Sequence, residues 1–244
     1  MCYYRDMKTI LRKSNDRLKT KIDWLESYHT FSFGEHYDPN WMGFRNLRVI
    51  NDDYIEGGQG FPFHPHRNME IVTFMLNGTL RHQDSLGNNM AITPGELQVM
   101  SAGSGIIHSE YSENKANDDR VHLLQIWLLP KEHNIKPRYD QKQILNGEST
   151  NFLKPIASDV VEGSDVMMIN TDATIYQGSL ESGFEKKFNP LKHKNLWIHV
   201  FEGSLLVNDI ELNSGDAVGI MELDRELTFK GNKNKASFLV FELI

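Results

Sequence analysis

Short stretches of alternating apolar and polar residues, separated by turn-forming residues about every ten positions, restrict the fold of this chain most strongly. Long stripes of apolar residues at helical spacing are scarce. Regularly spaced short strands are typical of β-sandwiches and β-barrels, so the sequence predicts an all-β fold. The stretches with strand character are 47–50, 70–76, 90–92, 97–100 and 121–129 in the first half, and 166–169, 196–201, 204–207, 217–221 and 237–244 in the second.

The two halves of the sequence resemble each other. In the first half, a turn at Asn77-Gly78 is followed by a second at Pro94-Gly95. In the second half, Gly203 and Gly215 occupy corresponding places. This repeat favours two similar barrels. We therefore predict a first domain at 1–135, a connector at 136–152 where the strand pattern stops, and a second domain at 153–244.

The composition excludes several classes of protein. The 26 Lys and Arg residues against 33 Asp and Glu residues give a net charge of −7, which argues against direct nucleic-acid binding. The sequence offers neither an apolar run of about 20 residues nor the pattern of a secretory signal, so we expect no membrane association. Cys2 is the only cysteine, which excludes an internal disulfide and predicts a reducing, cytoplasmic location.

Two pairs of candidate metal ligands stand out. His64 and His66 are two positions apart, so on a strand both imidazoles project from one face. His108 and Glu110 repeat that spacing with a carboxylate. If the two strands face each other, three imidazoles and one carboxylate converge. Such a set suits a divalent first-row transition metal rather than Mg²⁺ or Ca²⁺, and it leaves positions open for substrate or dioxygen.

Three further residues leave alternatives open. Glu70 follows His66 by four positions and could face the same side, either as a ligand in place of Glu110 or as a hydrogen-bond partner of a ligating histidine. His82 is either a hydrogen-bonded turn histidine or a residue of the pocket. His122 begins an apolar stretch and is better read as a core histidine than as a fifth ligand.

These residues resemble the cupin signature. Its first motif, G-x5-H-x-H-x3-4-E-x6-G, is matched by Gly58, His64, His66 and Glu70, with Gly78 one position late. Its second motif is matched loosely, and Ser112 replaces the expected asparagine. Between residues 24 and 130 the chain is similar to the pirin family of cupins. The matching segments are 29–33, 38–40, 61–70, 82–88, 101–105 and 108–110.

The resemblance implies a bicupin of two stacked jelly-roll β-barrels that binds one metal ion in the first barrel. The pirin pattern would place the metal on His64, His66, His108 and Glu110. Glu70 is then the alternative to Glu110 as the carboxylate ligand. Fe(II) is then the expected ion, and Ni, Co, Cu, Mn or Zn are chemically allowed. His193 and His199 of the second half lack the motif spacing, so we expect them to be structural or exposed.

Two functions follow from the resemblance. Pirin-like quercetinases use a metal and O₂ to open the ring of a flavonol and release CO, and Glu110 would then accept the proton of the flavonol 3-hydroxyl group. The substrate would be a small aromatic molecule, with Phe61 and Phe63 forming part of its apolar wall. Alternatively, the protein is a non-catalytic regulator whose metal state controls binding to a transcription factor or a metabolic enzyme.

Overall fold

The computed structural model describes residues 8–116, 119–144, 150–161, 163 and 165–244, and β-strands dominate these ranges. Within them, no helix has the length and apolar character needed to cross a membrane. The prediction of an all-β fold is confirmed. The strands are β1 (Lys8–Arg12), β2 (Leu18–Lys21), β3 (Leu25–His29), β4 (Leu47–Ile55), β5 (Gly60–His66), β6 (Glu70–Asn77), β7 (Leu80–Asp84), β8 (Asn89–Ile92), β9 (Glu96–Ser101), β10 (Ile106–Ser112), β11 (Val121–Leu128), β12 (Arg138–Gln143), β13 (Phe152–Ser158), β14 (Met167–Met168), β15 (Ala173–Leu180), β16 (Glu185–Phe188), β17 (Asn195–Glu202), β18 (Ser204–Val207), β19 (Ile210–Asn213), β20 (Ala217–Met221), β21 (Leu227–Gly231) and β22 (Ala236–Leu243), with one 3-10 turn at Ser14–Asp16.

The first compact unit contains the described residues of 17–147 and 162–172. Its longer sheet has the strand order β12-β9-β6-β11-β4-β3-β2, and its shorter sheet has the order β5-β10-β7-β8. Apolar side chains from both sheets form one end of the interior, among them Leu25, Met75, Leu80 and Leu123. Burial of these side chains stabilises the barrel.

The second unit contains the described residues of 8–16, 148–161 and 173–244. Its sheets repeat the order of the first unit, with β20-β17-β22-β15-β13 in one sheet and β16-β21-β18-β19 in the other. The predicted duplication is therefore confirmed, and both units are cupin domains. Seventeen buried side chains fill the interior of this barrel, including Phe229, Phe238 and Leu205.

The structure draws the domain boundaries differently from the sequence. Strand β1, which falls in the predicted first domain, pairs with β20 of the second unit. Strand β12, which falls in the predicted connector, pairs with β9 of the first unit. These two strands occupy equivalent edge positions, because β9 and β20 correspond in the two sheet orders. Both strands are short and rich in charged or polar residues, so their pairing is not visible in an apolar pattern.

A β-bulge in β5 determines which of its side chains face inwards. His108 lies opposite His64, whereas Glu110 lies opposite Phe61, so β5 has one residue more than β10 between these pairs. The extra residue reverses the alternation of side chains. Phe61 and His64 therefore line the same pocket although they are three positions apart.

Gly60 permits the close approach of β5 to β10. A Cβ atom on Gly60 would lie 2.1 Å from the carbonyl oxygen of Glu110. We expect Gly60→Ala to lower the free energy of unfolding by roughly 3 kcal/mol, because the backbone must move to relieve this overlap. Chemical denaturation measures the change.

Gly58→Ala is the matched control. Gly58 has a φ of +72°, but a Cβ there would meet no atom within 4 Å. Its cost is therefore the backbone strain alone, roughly 1 kcal/mol. Equal losses in the two variants would contradict the role assigned to the close contact at Gly60.

Candidate metal centre and its pocket

Three imidazoles converge in the first barrel. One nitrogen atom from each of His64, His66 and His108 lies within 4.8 Å of the other two. The ring centroids of His64 and His108 are 4.4 Å apart, and that of His66 lies 4.8 and 4.9 Å from them. The pairing of β5 with β10 produces this arrangement by setting His64 opposite His108.

Hydrogen bonds orient two of these rings. The Nδ1–H group of His64 donates a hydrogen bond to the carbonyl oxygen of Pro62 at 2.8 Å. In the neutral ring, the lone pair is then on Nε2. His108 Nδ1 lies 3.4 Å from Nδ1 of His82, and His82 Nε2 lies 3.0 Å from Asp84 Oδ2. Asp84 accepts a hydrogen bond from Nε2–H of His82, and Nδ1 of His82 lies 3.1 Å from the amide nitrogen of Gln98 as well as facing His108.

Nε2 is the second nitrogen atom of the His108 ring. This atom is buried and has no hydrogen-bond partner among the described residues. A buried polar atom without a partner is costly, and a cation at this position would remove the cost. The donor set therefore fits a divalent transition metal, with Asp84 and His82 holding the His108 ring in place.

Burial also keeps two of the rings neutral. Desolvation, assisted by the neighbouring histidines His108 and His64, lowers the pKa of His66 to about 4. Desolvation lowers the pKa of His108 to about 3. At neutral pH both rings are deprotonated and can donate lone pairs to a metal.

Glu110 lies beside the imidazoles. Its carboxylate falls in a second group of potential ligands, with His82 and His108, whose ligand atoms also lie within 4.8 Å of one another. The Nε2 atom of Gln125 donates to both carboxylate oxygens, at 3.1 and 3.3 Å. Thr73 donates to the amide oxygen of Gln125, and this bond fixes the orientation of the amide. Glu110 is thus a buried acceptor held by a neutral donor.

Glu70 lies elsewhere in the barrel. Strand β5 ends at His66, and Asn68, with a φ of 50°, separates it from β6, so the expected common face does not exist. The Glu70 carboxylate accepts hydrogen bonds from Ser101 Oγ at 2.8 Å and from the backbone N–H of Asn170 at 2.9 Å. Burial raises its pKa.

His82 and His122 lie on strands. His82 is fully buried in β7 rather than in a turn, and its ring stacks on Tyr139 at 4.6 Å. His82 contacts His108, a potential metal ligand, but does not line the pocket. His122 bonds to Asp52 Oδ1 at 2.7 Å and stacks on Tyr54. In the second barrel, His199 is buried, and the backbone N–H of His193 donates to Glu242.

The imidazoles open into a cavity of about 530 Å³ in the first unit. Its apolar walls come from Phe33, Phe61, Ile71 and Trp127. This volume accommodates a small aromatic molecule. Phe61 lines the cavity as expected, whereas Phe63 is 63% exposed and lies outside it.

Asp53 is a pocket residue that the sequence analysis missed. It lies in β4, lines the cavity with Glu110 and is 3% exposed. Desolvation raises the pKa of Asp53 from 3.8 to about 7. A hydrogen bond with Ser27 opposes this rise, and the charges of Asp52 and Glu110 add to it. Two successive acidic residues, Asp52 and Asp53, just after a predicted strand were the available signal.

The raised pKa of Asp53 predicts a pH-dependent stability. The unfolded chain loses this proton near pH 4 and the folded chain near pH 7. The contribution of Asp53 to the free energy of unfolding is therefore greatest below pH 4 and falls as the pH rises from 4 to 7. Between pH 4 and 8, metal-free wild type should lose up to roughly 4 kcal/mol relative to Asp53→Asn, measured by denaturation. Asp140→Asn, on an exposed residue of β12, should follow the wild type. Parallel profiles of wild type and Asp53→Asn would contradict this assignment.

Comparisons with known proteins agree over nearly the whole chain. A family model described as Pirin matches residues 11–128, and one described as Quercetinase C-terminal cupin domain matches 156–243. A quercetin 2,3-dioxygenase of Escherichia coli strain K12 is 42% identical over 212 residues, which cover 87% of this chain and 89% of that protein. A pirin-like protein of Caulobacter vibrioides is 37% identical over 199 residues, covering 82% and 84%.

Solved structures give the same result. The crystal structure of the bacterial pirin YhhW from Escherichia coli in complex with nickel(II) is 38% identical and has a TM-score of 0.88, with 97% of this chain and 99% of that chain covered. Another crystal structure of YhhW has a TM-score of 0.90. The expected relationship is confirmed, and the chain belongs to the pirin family.

Proposed function

We propose that this protein is a metal-dependent dioxygenase that opens the central ring of a flavonol such as quercetin with O₂ and releases CO. The observation that carries the proposal is the set of lone pairs from His64, His66 and His108 beside the buried Glu110 carboxylate, in a cavity with apolar walls. Relatives named quercetin 2,3-dioxygenase support the same activity.

Four residues would hold the ion: His64, His66, His108 and Glu110. Fe(II) is the proposed metal, with Ni, Co, Cu, Mn or Zn as alternatives; YhhW has been crystallised with nickel(II). When bound, such an ion polarises substrate oxygens and takes part in chemistry with O₂.

The protein side chains have separate tasks in this proposal. Glu110 accepts the proton of the flavonol 3-hydroxyl group, and Gln125 stabilises the carboxylate before that transfer. Asp84 and His82 hold the His108 ring in place. Phe61 and Trp127 exclude water from the faces of a flat substrate. A cytoplasmic location remains a prediction from the single cysteine.

Glu110→Gln tests the proposed base, with Glu70→Gln as the matched control. Both are buried carboxylates, but only Glu110 lines the cavity. After anaerobic loading with Fe(II) and addition of quercetin and air, we expect Glu110→Gln to lose at least about 100-fold in kcat. Glu70→Gln should stay near wild type. Loss of flavonol absorbance and release of CO measure turnover.

Two outcomes would contradict this assignment. Full activity of Glu110→Gln together with an inactive, folded Glu70→Gln would transfer the role of base to Glu70. If no metal supports turnover above the free-metal control, the dioxygenase proposal fails. If this protein then binds a partner protein in the Fe(III) form but not in the Fe(II) form, the regulatory alternative is favoured.

Metal binding has its own test. His108→Ala removes the buried Nε2 acceptor, so we expect less than one tenth of the wild-type metal content after loading with Fe(II) or Ni(II) and desalting. Elemental analysis gives the stoichiometry. His133→Ala, on an exposed loop residue, should bind one equivalent. Wild type should also gain thermal stability on loading, whereas His108→Ala should not. Full occupancy in His108→Ala would refute the proposed ligand set.

A further inference from the structure

A second polar cluster lines the same cavity as the imidazoles and has no part in the chemistry proposed above. It consists of Thr20 of β2, His29 of β3, Asn51 of β4 and His36, and we call it the His29–His36 cluster. Thr20 Oγ1 lies 2.8 Å from His29 Nε2 and 3.0 Å from His36 Nε2. His29 Nδ1 lies 2.8 Å from Asn51 Oδ1. One threonine hydroxyl therefore joins two histidines.

Local structure holds the cluster in place. Phe33 and His36 exchange two backbone hydrogen bonds of 3.0 Å across a tight turn, in which Gly34 has a φ of 55°. This turn brings the His36 ring to 5.3 Å from that of His29. His29 and Asn51 are 2% and 3% exposed, whereas His36 and Thr20 are half-buried. The cluster thus has a fixed base and an accessible rim.

The direction of the hydrogen bonds shows what the rim offers. Because Asn51 Oδ1 is an acceptor, His29 donates to it through Nδ1–H, and Nε2 of His29 accepts from the Thr20 hydroxyl. Thr20 Oγ1 in turn accepts from Nε2–H of His36. Thr20 Oγ1 keeps a second lone pair, and His36 has a second ring nitrogen, Nδ1. Both atoms can form hydrogen bonds with hydroxyl groups of a ligand.

A continuous row of rings connects the cluster to the candidate metal centre. His29 stacks on Phe33 with 5.3 Å between centroids, and Phe33 contacts the edge of Trp127 at 5.4 Å. Trp127 then contacts His66 at 4.9 Å. All four residues line the cavity. A flat aromatic molecule with one oxygen at the imidazoles can lie along this row towards the cluster.

We propose that the His29–His36 cluster is a recognition site for the hydroxyl groups of the substrate that lie remote from the reacting oxygen, and that it selects polyhydroxylated flat aromatic molecules. The proposal rests on the proposed function, because it takes a flavonol as the ligand class. Thr20 and His36 are the specificity-determining residues.

Binding measurements test the proposal independently of turnover. The probes are quercetin and 3-hydroxyflavone, which keeps the reacting oxygens but has no remote hydroxyl groups. Dissociation constants are measured without O₂, by calorimetry, for the metal-free and the Ni(II)-loaded protein. Wild type should prefer quercetin. Thr20→Val should weaken quercetin binding about tenfold and leave 3-hydroxyflavone binding unchanged, because only the hydroxyl contacts are lost.

His36→Ala serves as the second variant, since His36 lies in a turn and its loss spares the sheet. It should reduce the preference for quercetin in the same direction. Thr228→Val, in β21 of the second barrel, is the matched control and should retain the wild-type preference. In aerobic assays with Fe(II), Thr20→Val should raise KM for quercetin with little change in kcat.

The outcomes separate the two proposals. A preference for quercetin that both variants abolish, without turnover by any metal form, would support the recognition site and refute the dioxygenase. Turnover of quercetin with the same preference in wild type and both variants would refute the recognition site and leave the dioxygenase intact. If wild type binds quercetin no better than 3-hydroxyflavone, the recognition site is also refuted.

Discussion

The register of β10 between β5 and β7 is the constraint on which the rest of the first barrel depends. It sets His108 opposite His64 on one side and opposite Asp84 on the other. The first pairing brings the imidazoles together, and the second supplies the acid that orients His82. A shift of one residue would turn His108 outwards, because side chains alternate along a strand. Backbone pairing therefore determines which side chains meet in the pocket.

Much of the architecture could be predicted from the sequence, because it depends on alternation and turns. The ten predicted strand segments all overlap observed strands, and one nitrogen atom from each of His64, His66 and His108 lies close to the other two. The domain limits could not be predicted in the same way. The edge strands β1 and β12 are identified only by their partners, since polar edge strands carry little apolar pattern.

Other parts of the site depended on long-range geometry. The common face expected for Glu70 and His66 failed at Asn68, whose left-handed backbone ends one strand and redirects the next. Asp53, Gln125 and His29 lie on other strands than the histidine motifs, and no spacing rule connects them. Their proximity follows from the order of the strands in the sheets. A single sequence shows which residues are unusual, but not which of them meet.

The pairing of β1 with β20 has a consequence for how this molecule can be divided. Strand β1 belongs to the second unit, the described residues of 17–144 to the first and β15–β22 again to the second, so the two units are interleaved along the chain. A fragment of residues 153–244 would lack β1 and would expose the edge of β20. Such an unpaired edge can form hydrogen bonds with strands of other copies. Exchange of residues 153–244 alone would therefore separate the second unit from its edge strand β1.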